Sequence, residues 1–347
     1  MSISSSTTAA NDDDTPDAPP TPTLTFHIDD RHAGDRLDKA LAQLLPDVSR
    51  SRLQTWIDAA AVTVNGGPIK QRYTLSYGDV IEVDPRPAPD AAAYQPQAMP
   101  LDVVFEDAAL LVLNKPPGLV VHPAPGHWSG TLLNGLLAYQ PALVELPRAG
   151  IVHRLDADTS GLMVVAKTLA AHTDLVRQLQ ARTVTREYWA LVLGTPPLRG
   201  VIDAAIARDP RNPMRFKVST AESAKDARTH YARIAVRTDA GADIAWLSCR
   251  LETGRTHQIR VHLEHIGHPL IGDPVYRRRL PARSDAPGWK AFERQALHAS
   301  RLSLKHPATA RRLTWFQAPA PDLADLMQGF GFGPLDIASN IWNSASD

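Results

Sequence analysis

At 347 residues the chain is longer than one average domain, and length alone predicts about two domains with room for a substantial core. Apolar residues at 44% and charged residues at 21% give the balance of an ordinary globular protein, and the single cysteine, Cys249, excludes an internal disulfide. No run of about 18 apolar residues is present and the first residues lack the basic-then-apolar order of a secretory signal, so a cytoplasmic protein with no membrane partner is expected.

A formal net charge of zero argues against a nucleic-acid partner until its distribution is read. Residues 1–30 hold six Asp and no Lys or Arg, which leaves 37 basic against 31 acidic residues in the rest. That modest basic bias is compatible with RNA without being diagnostic of it.

In chain order, residues 1–24 are Ser, Thr, Asp, Ala and Pro with little to bury, and read as a disordered acidic tail. Leu37, Leu41, Leu44 and Leu45 recur at helical spacing, and a second helix begins near Ser49 with Leu53, Trp56 and Ile57 on one face. VTVNGGPI then reads as a strand and an Asn-Gly turn, and GDVIEV as a further strand, which completes a small module at 25–84. The Pro- and Ala-rich stretch 85–100 reads as a linker.

From 101 to 320 a larger domain is expected, with strands in VVFEDAALLVLNKP, GLMVVAKT, REYWALVLG, THYARIAVR, DIAWLSCRLE and LHASRLSL and helices near 130–138, 169–182 and 256–266. The strands outnumber the helices without alternating strictly with them, which predicts an α+β fold with a mixed, largely antiparallel sheet. Neither GxGxxG nor a P-loop occurs. Residues 321–347 have weak pattern and read as a tail.

The segment GIVHRLDADTSGLMVVAKT crowds His153, Arg154, Asp156, Asp158, Thr159 and Ser160 into a loop that runs straight into an apolar strand, the arrangement expected where a rigid element positions reactive groups. The bland alternative is a solvated turn, and the residues alone do not choose between Asp156 and Asp158. In RLETGRTHQIRVHLEHIGHPLIGDPVY, Thr256 is the expected cap of a helix whose buried stripe is Ile259, Leu263 and Ile266. Arg255 and Arg260 then fall near an end that favours anions. His257, His262, His265 and His268 lack HExxH spacing, so no metal site is expected. In ARTVTREYWALVLG, Tyr188 is either a core aromatic or a stacking face for an unstacked base. NKPPGLVVHP contributes Lys115, in reach of a phosphate or simply at the surface.

Together HRLDADTSGL, TREYWALV and ETGRTHQIRVH, preceded by NKPPGLVVHP and followed by GHPLIGDPVY and RQALHA, closely resemble the RluA family of pseudouridine synthases across about 101–306. Residues 34–84, with GDRLDKAL, SRSRLQTWI, VTVNG and GDVIEV, resemble the S4-type RNA-binding domain that many members carry in front. The details ARTVTREYWALV and RLETGRTHQIRVHLEHIGHPLIGDPVY are most similar to the branch that acts on the helix 69 loop of 23S ribosomal RNA.

The resemblance implies an isomerase with Asp156 as the essential carboxylate, Tyr188 packing on the target base and Arg260 paired with the carboxylate. It further implies Arg154 as a hold on the base-flipped RNA; Lys115 and Arg255, read from the residues themselves, are the further substrate contacts expected. Ala157 departs from the family, where lysine is common, and YRRRLPARSDAPGWKAFER is longer than expected. Isomerisation involves neither net redox change nor water uptake, so no cofactor is expected. The expected partner is 23S rRNA or the large-subunit precursor, bound by a monomer with no obligatory protein partner. A noncatalytic ribosome-assembly factor and a hydrolase or nuclease using the His cluster are the competing readings.

Overall fold

The computed structural model describes residues 23–46, 48–85, 93–124, 126–239, 241–277, 292–333 and 342. Most of the expected acidic tail and nearly all of the YRRRLPARSDAPGWKAFER stretch lie outside them. The chain divides into two compact units, Met1–Ala91 and Ala92–Asp347.

The first unit pairs β1 (Leu24–His27), β2 (Val62–Val64), β3 (Gly67–Pro68) and β4 (Val80–Val83) in the order β1-β4-β2-β3, with α1 (Leu37–Leu44) and α2 (Arg50–Asp58) preceding β2. Leu37, Leu41, Leu53, Trp56 and Ile57 form its core with Val62, Val64, Ile81 and Val83. The β2–β3 turn is set by Asn65 and Gly66, both at positive φ (53° and 76°), the conformation a two-residue hairpin of matching twist demands. The Asn65 side chain locks it, accepting from the Val80 N–H at 2.9 Å and donating to Asp79 at 2.8 Å.

The second unit is built on a sheet of nine strands among the described residues. In chain order these are β5 (Val103–Glu106), β6 (Leu110–Lys115), β7 (Ser160–Ala166), β8 (Thr185–Leu193) and β9 (Arg199–Asp203), then, after a separate hairpin of β10 (Ile206–Asp209) and β11 (Asn212–Val218), β12 (Arg228–Asp239), β13 (Ala242–Leu251), β14 (Leu297–Lys305) and β15 (Arg312–Phe316). Their spatial order is β5-β6-β7-β14-β8-β13-β12-β9, with β15 also on β14, and every pairing is antiparallel except β7 with β14. The sheet is therefore mixed and largely antiparallel, as its strand pattern predicts.

Both faces are covered, which is why β7 is buried at every position. On one face Leu113, Met163, Val165, Ala190 and Leu247 pack with α3 (Leu132–Tyr139) and with Ile259 and Leu263 of α5 (Gln258–His265). On the other, Leu162, Val164 and Leu302 meet Ala171 and Leu175 of α4 (Leu169–Gln180). Cys249 is a fully buried member of this core, and burial pushes its thiol pKa up, so it has the packing role rather than a reactive one.

Two expected boundaries shift. Residues 93–99 do not run free as a linker: Asn134 on α3 donates to the carbonyls of Ala93 (3.3 Å) and Gln95 (2.8 Å), and Gln97 accepts from Gly130 N–H at 2.6 Å. Nor does a tail begin at 321, because Pro321–Gly329 forms α6, whose Leu323, Leu326 and Met327 cover Trp246 and Ile244. Beyond it, Trp342 stacks on Arg250 at 4.2 Å and donates to Ser248 Oγ at 3.0 Å. Among the described residues no helix is long and apolar enough to cross a membrane.

The two halves of the sheet meet at the short parallel junction His298↔Ser160 and Ala299↔Gly161, reinforced by Ser160 Oγ and His298 Nδ1 at 3.0 Å. Gly161 sits at φ +111° against the backbone of Ala299, where a Cβ would collide with that strand. Gly161→Ala is expected to lower unfolding free energy by about 3 kcal/mol or more, through strain and a forced strand separation. Chemical denaturation checks this, and a variant of wild-type stability would show that the junction yields without cost.

Candidate active site

The loop between residues 151 and 159 enters β7 at this junction, so the least yielding part of the sheet carries the densest group of polar residues. Asp156 lines a cavity of about 590 Å³ together with His153, Arg154, Arg186, Tyr188, Arg255, His257 and Arg260. Asp158, two residues on, does not line it, and its charge instead acts on Lys115. The geometry thus separates two carboxylates that the residue pattern leaves equivalent.

Arg260 is the centre of the arrangement. It is only 5% exposed, on the first turn of α5, and its guanidinium is divided between two carboxylates. Nε and Nη2 make a two-point contact with Asp273 at 2.7 and 2.9 Å, while Nη1 donates to Asp156 Oδ2 at 3.1 Å. The Tyr276 ring lies 5.0 Å from the same guanidinium. Burial works against its charge, and Asp273 and Asp156 more than offset that, holding its pKa above the ordinary arginine value.

Asp273 is itself wholly buried, and Oδ1 also accepts from the N–H groups of Val275 (2.9 Å) and Tyr276 (3.0 Å). Burial would raise its pKa, but Arg260 and these N–H groups lower it, so it stays an anion. A fork held along one edge by a fixed carboxylate cannot turn, and its Nη1 points at Asp156.

A second side chain, His257, lies near the same carboxylate with a chain of hydrogen bonds behind it. Phe216 N–H, on β11, donates to the Tyr276 hydroxyl oxygen at 3.0 Å, and that hydroxyl lies 2.8 Å from His257 Nδ1. Whichever of the two donates, the Nε2 edge of the ring faces Asp156 Oδ2 at 3.9 Å. Burial, with Arg260 and Arg154 assisting, lowers the His257 pKa against the pull of Asp156. His257 occupies the left-handed region at φ 56°, and it rather than Thr256 is the residue at the start of α5. The turn is closed instead by Gln258, whose Oε1 accepts from Thr253 Oγ1 at 2.8 Å and Arg255 N–H at 3.0 Å. The other three histidines do not gather: His262 bonds Thr229 Oγ1 and Ala204 O, His268 bonds Leu193 O, and His265 is exposed.

Tyr188 and Arg186 lie two residues apart on β8 and so share a face. Tyr188 is 5% exposed within the core, and burial raises its pKa. The core aromatic reading holds, and the same ring also lines the cavity. Arg154 and Arg255 are exposed at the cavity, the latter donating to Asp226 O at 3.0 Å.

Lys115 differs from its expected place at a phosphate. It is 1% exposed, and Nζ donates to the carbonyls of Pro116 (2.7 Å), Leu119 (3.0 Å) and Ala157 (2.6 Å). Three acceptors use all three protons of an ammonium, leaving none for substrate. Burial pushes its pKa down to about 7, with Asp158 and Asp156 pulling upward. Lys115 thus fixes the residue next to Asp156. From the opposite side Arg294 donates to Asp158 O at 3.0 Å, itself held by Asp322 of α6 at 2.6 and 2.8 Å.

Asp273, Tyr276 and Arg186 are site residues to which the sequence reading gives no role, whereas His153 stands in the polar loop and His257 among the four histidines without a partner named. The signal present was weak: an aspartate in the otherwise apolar LIGDPVY run, and an arginine two positions before a tyrosine already singled out.

An anchored carboxylate in a cationic cavity, on an α+β domain that follows a separate small unit, suits an enzyme that acts on an anionic substrate. Residues 109–265 match the family described as RNA pseudouridylate synthase, and residues 35–81 match the S4 domain. A relative from Nitrosomonas europaea, named ribosomal large subunit pseudouridine synthase D, is 50% identical over 88% of this chain and 87% of its own. Relatives of the same name from Neisseria meningitidis (51% identical, 84% of this chain and 77% of its own) and Pasteurella multocida (46%, 88% and 94%) agree. The solved structure of human RNA pseudouridylate synthase domain containing 1 superposes with a TM-score of 0.51 at 26% identity, over 67% of this chain and 90% of its own. The chain belongs to the RNA pseudouridylate synthase family and is an isomerase.

Lys115→Met is expected to lower stability by about 2–4 kcal/mol, because three buried carbonyls lose their donor. Turnover should fall as the Ala157 segment loosens, with RNA affinity near that of the wild type. Thermal melting and a filter-binding assay check this; full stability with weakened RNA binding would restore Lys115 as a phosphate contact.

Proposed function

We propose that this enzyme converts uridines of 23S ribosomal RNA, in the helix 69 loop, to pseudouridine, with Asp156 as the catalytic carboxylate. The substrate assignment is supported by the relatives' shared name, ribosomal large subunit pseudouridine synthase D, at 46–51% identity. The observation that carries the catalytic assignment is the position of Asp156, inside the cavity and 3.1 Å from the anchored Arg260.

A uridine in folded RNA must leave its stack before C1′ and C5 are reachable, at a cost of about a few kcal/mol. Arg154, exposed at the cavity, helps hold the base-flipped RNA, and Tyr188 receives the base against its ring. Arg255 meets a backbone phosphate. Asp156 then acts as an anion, either attacking C1′ or taking a proton from C2′, and Arg260 keeps the carboxylate aimed through either route. After the base turns and bonds through C5, the C5 proton leaves, with the Tyr188 hydroxyl relaying it by taking it up while passing its own proton on to water. The exposed cations Arg50, Lys70 and Arg72 of the first unit supply sequence-independent attraction to the rRNA backbone.

Asp156→Asn is expected to reduce single-turnover pseudouridine formation on an rRNA fragment by at least about a thousandfold, since the amide can serve neither as nucleophile nor as base. Folding and RNA affinity should be retained. Asp158→Asn, outside the cavity, should keep most activity, and equal loss in the two variants would overturn the assignment.

A further inference from the structure

Arg186 is a cation without a counterion. It lies in the cavity wall beside Tyr188, and among the described residues neither an acceptor for Nε nor a carboxylate for the guanidinium is in reach. Burial lowers its pKa, which records the work of keeping a charge there. Gly254 passes so close that a Cβ would come within 2.8 Å of Nη1, so the ETGRT loop leaves room for the guanidinium and little else.

His153, whose ring is near enough to feel the Arg186 charge, offers a second such donor. Its Nε2 accepts from the Val164 N–H at 3.1 Å, which puts the ring proton on Nδ1, and Nδ1 is buried with no partner. Burial followed by Arg186 lowers the His153 pKa to about 3, so the ring is a neutral donor at any working pH. Buried donors are almost always satisfied in folded proteins. The two atoms themselves are enclosed, but both residues line the cavity that holds Tyr188 and Asp156, so their uncompensated positive character lies where an electron-rich group would bind.

We propose that Arg186, with His153 beside it, binds the carbonyl edge of the target uracil and stabilises the base as an anion while it is detached from the sugar. This deepens the functional reading above and rests on it. When the C1′–N1 bond breaks, its electron pair stays with the base, and the negative charge spreads from N1 onto O2 and O4. C1′ gains a bond to an Asp156 oxygen, or C2′ loses a proton to it and a C1′–C2′ double bond forms. The anion then turns and its C5 bonds to C1′. In the first route the C1′–Asp156 bond breaks with its pair returning to the carboxylate; in the second the proton returns to C2′. C5 loses its proton, and N1 takes one up. Atoms and charge balance without an added reactant. Asp156 acts on the sugar side of this sequence, whereas the base side requires a cation, and Arg260 is already held by two carboxylates. Arg186 is free for that work.

The test uses the full-length enzyme on a large-subunit rRNA fragment with uridine or 5-fluorouridine at the target position, with loss of the parent nucleoside measured after nuclease digestion. Fluorine at C5 stabilises the base anion, so it substitutes in part for the missing cation. Arg186→Met is expected to slow uridine cleavage by about a hundred- to a thousandfold, the range for loss of one charge-stabilising donor, and to slow 5-fluorouridine cleavage much less. Arg186→Lys should fall between Arg186→Met and the wild type. RNA affinity and its salt dependence should stay near wild type, and the melting temperature of Arg186→Met should hold or rise, because an unpaired buried charge is removed. Equal slowing on both RNAs would overturn the proposal, as would a loss confined to affinity with a shallower salt slope, the mark of a phosphate contact, or a lowered melting temperature. A wild-type enzyme inert on the uridine fragment would instead overturn the functional reading itself.

Discussion

The geometry of the site depends on how one guanidinium is shared. Arg260 is buried, and a buried charge is tolerable only when its partners are close and correctly oriented. Asp273 meets that requirement alone, through a two-point contact that is itself braced by two backbone N–H groups. The contact to Asp156 is therefore surplus to keeping Arg260 in place, and its direction is fixed before any substrate arrives. With the roles reversed, a partly exposed Asp156 holding a mobile Arg260, the carboxylate would gain attraction without gaining orientation.

The rest of the second unit holds the other end of this contact still. The loop bearing Asp156 is gripped by Lys115 through Ala157 O and by Arg294 through Asp158 O, so the carbonyls on either side of Asp158 are tied to different elements. It enters β7 at Gly161, where two strands approach too closely for any side chain. Asp322 carries the support out to α6, which gives the C-terminal helix a share in positioning the site although it lies outside the cavity. Tyr276, itself held by the Phe216 N–H, holds His257 by a hydrogen bond at Nδ1 that keeps the Nε2 edge toward Asp156. Arg186 lacks such support, which fits a group whose partner is the substrate.

Much of this was legible in the residues, and the limit follows a physical line. Periodicity locates β7, α4 and α5 closely because their apolar stripes are uninterrupted. The Asn-Gly pair announces the β2–β3 turn because left-handed φ at both positions suits few other sequences. The HRLD loop stands out because several ionisable residues precede a continuous apolar strand. Composition misleads at 93–99 and at α6, where Pro- or Gly-bearing stretches are tied down by partners distant in sequence: Asn134 in the first case, Trp246 in the second. Lys115 shows the same limit, since a lysine beside two prolines reads as surface until the loop carrying Ala157 folds over it. Asp273 shows it most clearly. Its partner is 13 residues away, and only the turn after α5 brings the two together.

On this geometry Asp273 acts on the reaction through Arg260 alone, by keeping it turned toward Asp156, and a double-mutant cycle tests that dependence. Single-turnover pseudouridine formation would be measured for Asp273→Asn, Arg260→Met and the two combined, with circular dichroism confirming that each variant is folded. Asp273→Asn alone should slow the reaction. In the Arg260→Met background it should change the rate by no more than about twofold, because the group it orients is gone. The same fractional loss in both backgrounds would contradict the account and give Asp273 a role independent of Arg260.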